Sequence, residues 1–420
     1  MADGNKHEFR VRAVTSFLCL KPDDFISRAD KDPGSPSPLQ TKISKYATFL
    51  KQTEQILKDA GYEVQTLRIA TNPFGEYLAP ASEIDTLKKQ LAELDDALQT
   101  NSIGFFALGP ATNPTEVDCC RHIVSTSNRL SCSAELSSGN DVMMAKKAAE
   151  CMKIISQLDA APHLKNGLGN FQFCATACCK PYIPFFPAAR STSLLDSLDS
   201  EKDVIPFALG LENGNLAQRL LSETKSIGNI STTFRDGMAA ALTPLASICE
   251  SIANGSSGKI KFVGIDTSLN PSLEEGGSAV VAIEKIDVVE KFGGRGSIAV
   301  AAEITKALKS LPGVQNVGYS GLMLPVCEDR RLAELASAGE IDTTRLLAIS
   351  SVCGVGLDTV PVSGSATTEE LMGLILDVGS LAFRYDKSLS CRLLLCPGQI
   401  GGEEAKFNSP YMCDCKIFTL

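Results

Sequence analysis

The chain has no tryptophan, three histidines and only 6% aromatic residues in 420. A stacking platform for nucleic-acid bases or sugars is therefore not expected. Positive charge is short as well: 40 Lys and Arg stand against 49 Asp and Glu, a formal net charge of −9. That balance argues against a general electrostatic grip on nucleic acid or an anionic membrane. No apolar run approaches the roughly 18 residues of a membrane span. Met1 to Arg12 is polar rather than basic and then apolar, so no targeting segment is expected and the cytoplasm is the expected compartment. No paired C-x-x-C spacing points to zinc. Neither G-x-x-x-x-G-K-[ST] nor a G-x-G-x-x-G after a strand is present, so no nucleotide site is expected.

What is present suits a globular interior: 44% hydrophobic and 21% charged residues can fill a sizeable core. Cysteine is plentiful, at fifteen, including the adjacent pairs Cys119-Cys120 and Cys178-Cys179. Without a secretory signal these thiols are expected to be reduced and packed as small apolar side chains. The tail pair Cys413-Asp-Cys415 is the candidate for redox or metal contact.

Strand and helix patterns alternate along the chain. Phe9 to Leu18 and Tyr62 to Ile69 read as strands around a helix over Leu39 to Ala60, where Ile43, Tyr46, Leu50 and Leu57 share one stripe. Ile84, Leu87, Leu91, Leu94 and Leu98 mark another amphipathic helix. Further helices are expected over Val142–Leu158, Ile230–Asn254, Ser297–Leu311 and Thr367–Tyr385, with strands near Ile103, Asn170, Ile205, Ile260, Val314, Leu322 and Ser390. This predicts one α/β domain over 1–420, with an insertion near 30–38 and a cysteine-containing tail near 405–420. The apolar helix Val142–Leu158 offers a homodimer contact, unless that face is core.

Polar residues at apolar strand ends mark the candidate site. Tyr319-Ser-Gly-Leu-Met-Leu-Pro-Val-Cys-Glu-Asp329 and Ser350-Ser-Val-Cys-Gly-Val-Gly-Leu-Asp-Thr-Val-Pro361 both end buried runs in turns carrying a thiol and carboxylates. If the strands share one sheet, Asp266, Glu328, Asp358 and Cys353 converge as the catalytic group, for acid–base or thiol chemistry. Arg12, Glu212, Asn270, Arg295 and Tyr319 are then the candidate ligand-binding residues, and Asp266 with Glu328 could hold a divalent cation. Each acid alone has a plainer alternative as a helix cap. Phe292-Gly-Gly-Arg-Gly-Ser297 could cradle an anion or simply form a tight turn. Lys180-Pro-Tyr-Ile-Pro-Phe-Phe-Pro187 could be a pocket wall or a cover whose aromatics plug the core.

Asn170-Phe-Gln-Phe-Cys-Ala, Phe207-Ala-Leu-Gly-Leu-Glu212, Gly264-Ile-Asp-Thr-Ser-Leu-Asn-Pro271 and the two stretches above resemble, in order, the uncharacterised family called domain of unknown function 711. The resemblance runs from about residue 10 to the last strand. It implies a ten-stranded α/β barrel similar to pyruvate formate-lyase and other glycyl radical enzymes, two five-stranded parallel halves around a central finger loop. No reaction comes with it. The radical loop near the C-terminus has no counterpart, since Cys396-Pro-Gly-Gln-Ile-Gly-Gly402 differs from it, which disfavours a radical role for Cys353. The expected function is an enzyme acting on a small polar or carboxylated metabolite by acid–base or thiol chemistry at the barrel mouth, without a glycyl radical: a lyase, isomerase, cyclase or hydrolase. The competing reading is a metabolite-binding or regulatory protein on the same framework.

Overall fold

The structure is a computed structural model that describes residues 8–26, 36–194 and 204–420. Most of the insertion expected at 30–38 lies outside the described residues. The first half of the chain lays down five strands: β1 (Arg10–Leu18), β2 (Leu67–Thr71), β3 (Phe105–Ala111), β4 (Leu130–Leu136) and β5 (Phe173–Ala177). They pair in sequence order and all in parallel. Parallel neighbours need long crossovers, and helices supply them. The first, Pro38–Asp59, is opened by a reciprocal Ser37/Gln40 cap with proline at its first position. It buries Leu39, Ile43, Tyr46, Leu50 and Leu57 along one side. The second, Ile84–Thr100, does the same with Leu87, Leu91, Leu94 and Leu98. Apolar spacing alone made both helices legible.

The second half adds β6 (Ile205–Glu212), β7 (Ile260–Asp266), β8 (Gly356–Ser363) and β9 (Leu389–Cys396). β6 joins β1 antiparallel, with Arg10 opposite Glu212, and β9 joins β5 antiparallel, with Ala175 opposite Cys391. β7 then runs parallel to β6, and β8 parallel to β9. The result is one mixed nine-stranded sheet in the order β7-β6-β1-β2-β3-β4-β5-β9-β8. Its ladder is not a closed ten-stranded barrel. Residues 314–326, expected to contribute two strands, instead touch both sheet edges through isolated bridges: Ile265 with Asn316, Leu269 with Leu322, and Pro325 with Asp358. Positive φ at Gly318 and Ser320, and the missing N–H of Pro325, keep this segment from a regular ladder.

The loop after β5 folds into the sheet's interior. Thr15 donates to the Pro184 carbonyl at 2.9 Å, Tyr182 packs edge-on against Phe17, and Ser191 N–H bonds Thr71 O at 2.8 Å. A side chain at Gly210 would collide with the Phe185 ring, 2.7 Å from where its Cβ would stand. The Lys180–Pro187 stretch thus plugs the core with Ile183 and Phe185, and it also forms a wall of the cavity described below. The helix Val142–Ser156 buries Met144, Ala145, Ala148, Met152 and Ile155 inside the chain, so most of its apolar face is core. No helix among the described residues is long and apolar enough to cross a membrane.

Candidate functional site

At the end of the sheet where β1 to β5 begin and β6 and β7 finish lies a cavity of about 600 Å3. The antiparallel joins bring these ends together, so charged residues distant in sequence meet there. β1 contributes Arg12, β2 contributes Arg68, β8 contributes Asp358 and β9 contributes Arg392. Glu328 comes from the turn after the bridging segment, and Tyr411 and Met412 from the C-terminal tail.

Arg392 organises one wall. Its Nε donates to Asp358 Oδ1 at 2.6 Å and its Nη2 to Glu328 Oε1 at 3.2 Å. The guanidinium stacks on Phe171, 4.6 Å from the ring centre, and is 7% exposed. Burial works against its charge, but Asp358 and Glu328 overcome this and raise its pKa. Burial also pushes the Glu328 carboxyl up; Arg392 opposes the shift, Asp358 adds to it, and Arg12 and Arg68 oppose it more weakly. One guanidinium thus serves two carboxyls, and burial raises the affinity of Glu328 for a proton.

Arg68 is the odd member. Only 7% exposed, it donates from Nε to Thr66 Oγ1 at 2.9 Å and lies over the rings of Phe105 and Phe186, 4.9 and 5.2 Å from their centres. It forms no ion pair among the described residues. Burial pulls its pKa down to about 9, with Arg12 and Arg392 adding to the shift and Glu328 opposing it, which leaves it protonated at neutral pH. The other lining arginines are answered: Arg12 by Glu212 at 2.9 Å and Arg129 by Asp95 at 2.7 Å.

The sequence-derived candidates separate into groups. Glu328, Asp358, Arg12, Asn270 and Tyr319 all line the cavity. Asn270 is held to the end of β6 through Leu211 O and Asn213 Oδ1, and burial pushes the Tyr319 phenol well up. Glu212 stands beside the rim, where it accepts from Arg10, Arg12 and Gln65. Asp266 is fully buried away from the lining and accepts from the backbone N–H groups of Ser268, Tyr319 and Ser320 and from the Ser268 hydroxyl. It ties β7 to the bridging segment. Cys353 is also buried outside the lining; burial pushes its thiol up to about 11, which leaves it protonated at neutral pH. Arg295 is exposed in the turn before the helix Ser297–Leu308, whose Ser297 hydroxyl accepts from Gly293 N–H. Asp266 and Glu328 do not join a metal-binding group: among the described residues no set of three or more His, Cys, Asp or Glu could hold a metal ion. All fifteen thiols are free. In the tail, Cys413 bonds the Cys327 carbonyl through both N–H and Sγ.

Sequence reasoning missed Arg68 and Arg392. The signal was present, because each is a charge inside a buried strand run, Leu67-Arg-Ile-Ala-Thr71 and Ser390-Cys-Arg-Leu-Leu-Leu-Cys396. Such a charge requires a partner or a ligand.

Fold and cavity define an α/β protein with an arginine-and-carboxylate pocket at one end of a mixed sheet. The chain belongs to the family described as Uncharacterised ACR (DUF711), whose model matches residues 4–408. Curated relatives carry the name UPF0210 protein. That of Oenococcus oeni is 24% identical over 381 residues, covering 87% of this chain and 81% of its own. That of Pyrobaculum aerophilum is 25% identical over 415 residues, covering 94% and 87%. A shorter match, to the protein of Sulfurisphaera tokodaii, is 37% identical over 138 residues, covering 32% and 31%.

Proposed function

We propose that the cavity is the active site of an enzyme that moves a proton on a small polar metabolite, with Glu328 as the acid–base group. The observation that carries this is the shared guanidinium: Glu328 and Asp358 both bind Arg392 on the cavity wall, and Glu328 has the raised pKa. A buried carboxyl whose proton affinity is raised, beside a second carboxyl, is a common preparation for acid–base work. Asp358, held at 2.6 Å by Arg392, keeps the guanidinium in place and favours the protonated form of its neighbour. Asn270 and Tyr319 complete the polar lining. We also read residues 314–326 as the tenth stave of a barrel, since that irregular segment meets both edge strands.

The test is consumption of a metabolite mixture, followed by mass spectrometry, with the parent and Glu328→Gln proteins. A compound consumed by the parent is expected to be consumed roughly 100-fold or more slowly by the variant, in line with the loss of an acid–base group. A compound that stabilises both proteins equally, with none consumed by either, would favour the binding-protein reading.

A further inference from the structure

Given the reading of this cavity as a ligand site, we infer that its ligand is a monocarboxylate whose carboxylate is gripped by Arg68. A buried guanidinium without an anionic partner is costly unless something else supplies the charge. Arg68 is such a group, and it faces the cavity. Its remaining donors fit one planar anion: Nε is spent on Thr66, while Phe105 and Phe186 cover the guanidinium. The edge of the two terminal amino groups is left. That fork matches a carboxylate in a bidentate pair, whereas an ammonium would not.

Charge on the opposite wall limits the ligand further. Asp358 and Glu328 are already shared by one arginine, and Arg12 and Arg129 are occupied by Glu212 and Asp95. Only Arg68 has charge to spare among these four. A phosphate dianion would bring a second negative charge toward Glu328 with no free cation to meet it; a monocarboxylate brings one. Leu168, Phe171, Met323 and Met412 also line the cavity and would pack against apolar parts of the ligand, beside the polar groups of Asn270 and Tyr319.

Calorimetric titration with benzoate and butyrate, set against benzamide, butyramide and inorganic phosphate, tests this without altering the protein. The carboxylates are expected to bind at least ~10-fold more tightly than the amides of the same shape, with phosphate no better than the amides. Arg68→Gln should weaken carboxylate binding by about 10- to 100-fold, and Arg68→Lys by less, since it keeps the charge but loses the fork. Equal binding of acid and amide, tighter binding of phosphate, unchanged affinity in a folded Arg68→Gln protein, or no binding by any probe at millimolar concentration each overturns the inference. The two readings fail separately. Turnover of a neutral compound that needs Glu328 but not Arg68 removes only the carboxylate anchor. Carboxylate binding that needs Arg68, with no compound consumed, removes only the proton-transfer role.

Discussion

Glu328 and Arg68 respond to the same burial in opposite directions, and both responses reach the cavity. In an unfolded chain a glutamate loses its proton near pH ~4.3. In this fold burial holds that proton to higher pH, with Asp358 reinforcing the effect. Between the two values the native protein binds more protons than the unfolded chain, so stability falls as pH rises through that window. Glu328→Gln removes this titration. Denaturant unfolding from about pH 4 to about pH 7 should therefore show the variant gaining on the parent as pH increases, because only the parent must ionise a buried carboxyl. A stability difference that stays constant with pH would mean that the carboxyl titrates as it does in water. Glu328 and Asp358 were legible in the sequence because each follows an apolar run. Their shared partner was not, since Arg392 reads locally as one charge in a strand and its role exists only once β8 and β9 pair.

Among the elements, the bridging segment 314–326 departs most from its sequence pattern. Val314 to Tyr319 and Leu322 to Val326 have the composition of strands, yet they make only single bridges, because Gly318 and Ser320 turn the backbone to positive φ between them. Asp266 holds that turn: its Oδ2 accepts Tyr319 N–H at 2.9 Å and its Oδ1 accepts Ser320 N–H at 3.0 Å. An asparagine fits the space but turns one acceptor into a donor facing a donor. Asp266→Asn should therefore destabilise the protein by about 1–3 kcal/mol, the cost of a buried polar group left unmatched. Ligand affinity in the folded variant should change little, since Asp266 does not line the cavity. Unfolding midpoints and one ligand titration on the same preparation check both halves; a large loss of affinity at unchanged stability would place Asp266 in the site after all. β8 was missed for a different reason. Pro361 and Asp358 inside Gly356–Ser363 argue against a strand, and a proline is tolerated there because this strand ends the ladder.

At the scale of the whole molecule, the chain reverses direction twice across the sheet, at β1 with β6 and at β5 with β9, and those reversals place the starts of one half beside the finishes of the other. Period and propensity give seven of the nine strands, missing β4 and β8, but not this order, so most strands were readable while their arrangement rested on resemblance. The C-terminal tail connects the pocket to the β8 edge of the sheet. Phe418 N–H bonds Pro361 O at 2.8 Å alongside β8, Cys413 N–H bonds Cys327 O next to Glu328, and Tyr411 and Met412 line the cavity. Met412, Ile417 and Phe418 are buried. Ending the chain at Pro410 should cost several kcal/mol of stability, at roughly 1.5–3 kcal/mol for each of these three side chains. It should also speed hydrogen exchange at Val326, whose N–H bonds Asp358 O where the bridging segment meets β8. If the truncated chain unfolds at the parent's denaturant midpoint and exchanges no faster there, while binding benzoate differently, the tail is only a cover over the cavity. Loss of stability, faster exchange and weaker binding together would make it part of the wall that holds Glu328 in place.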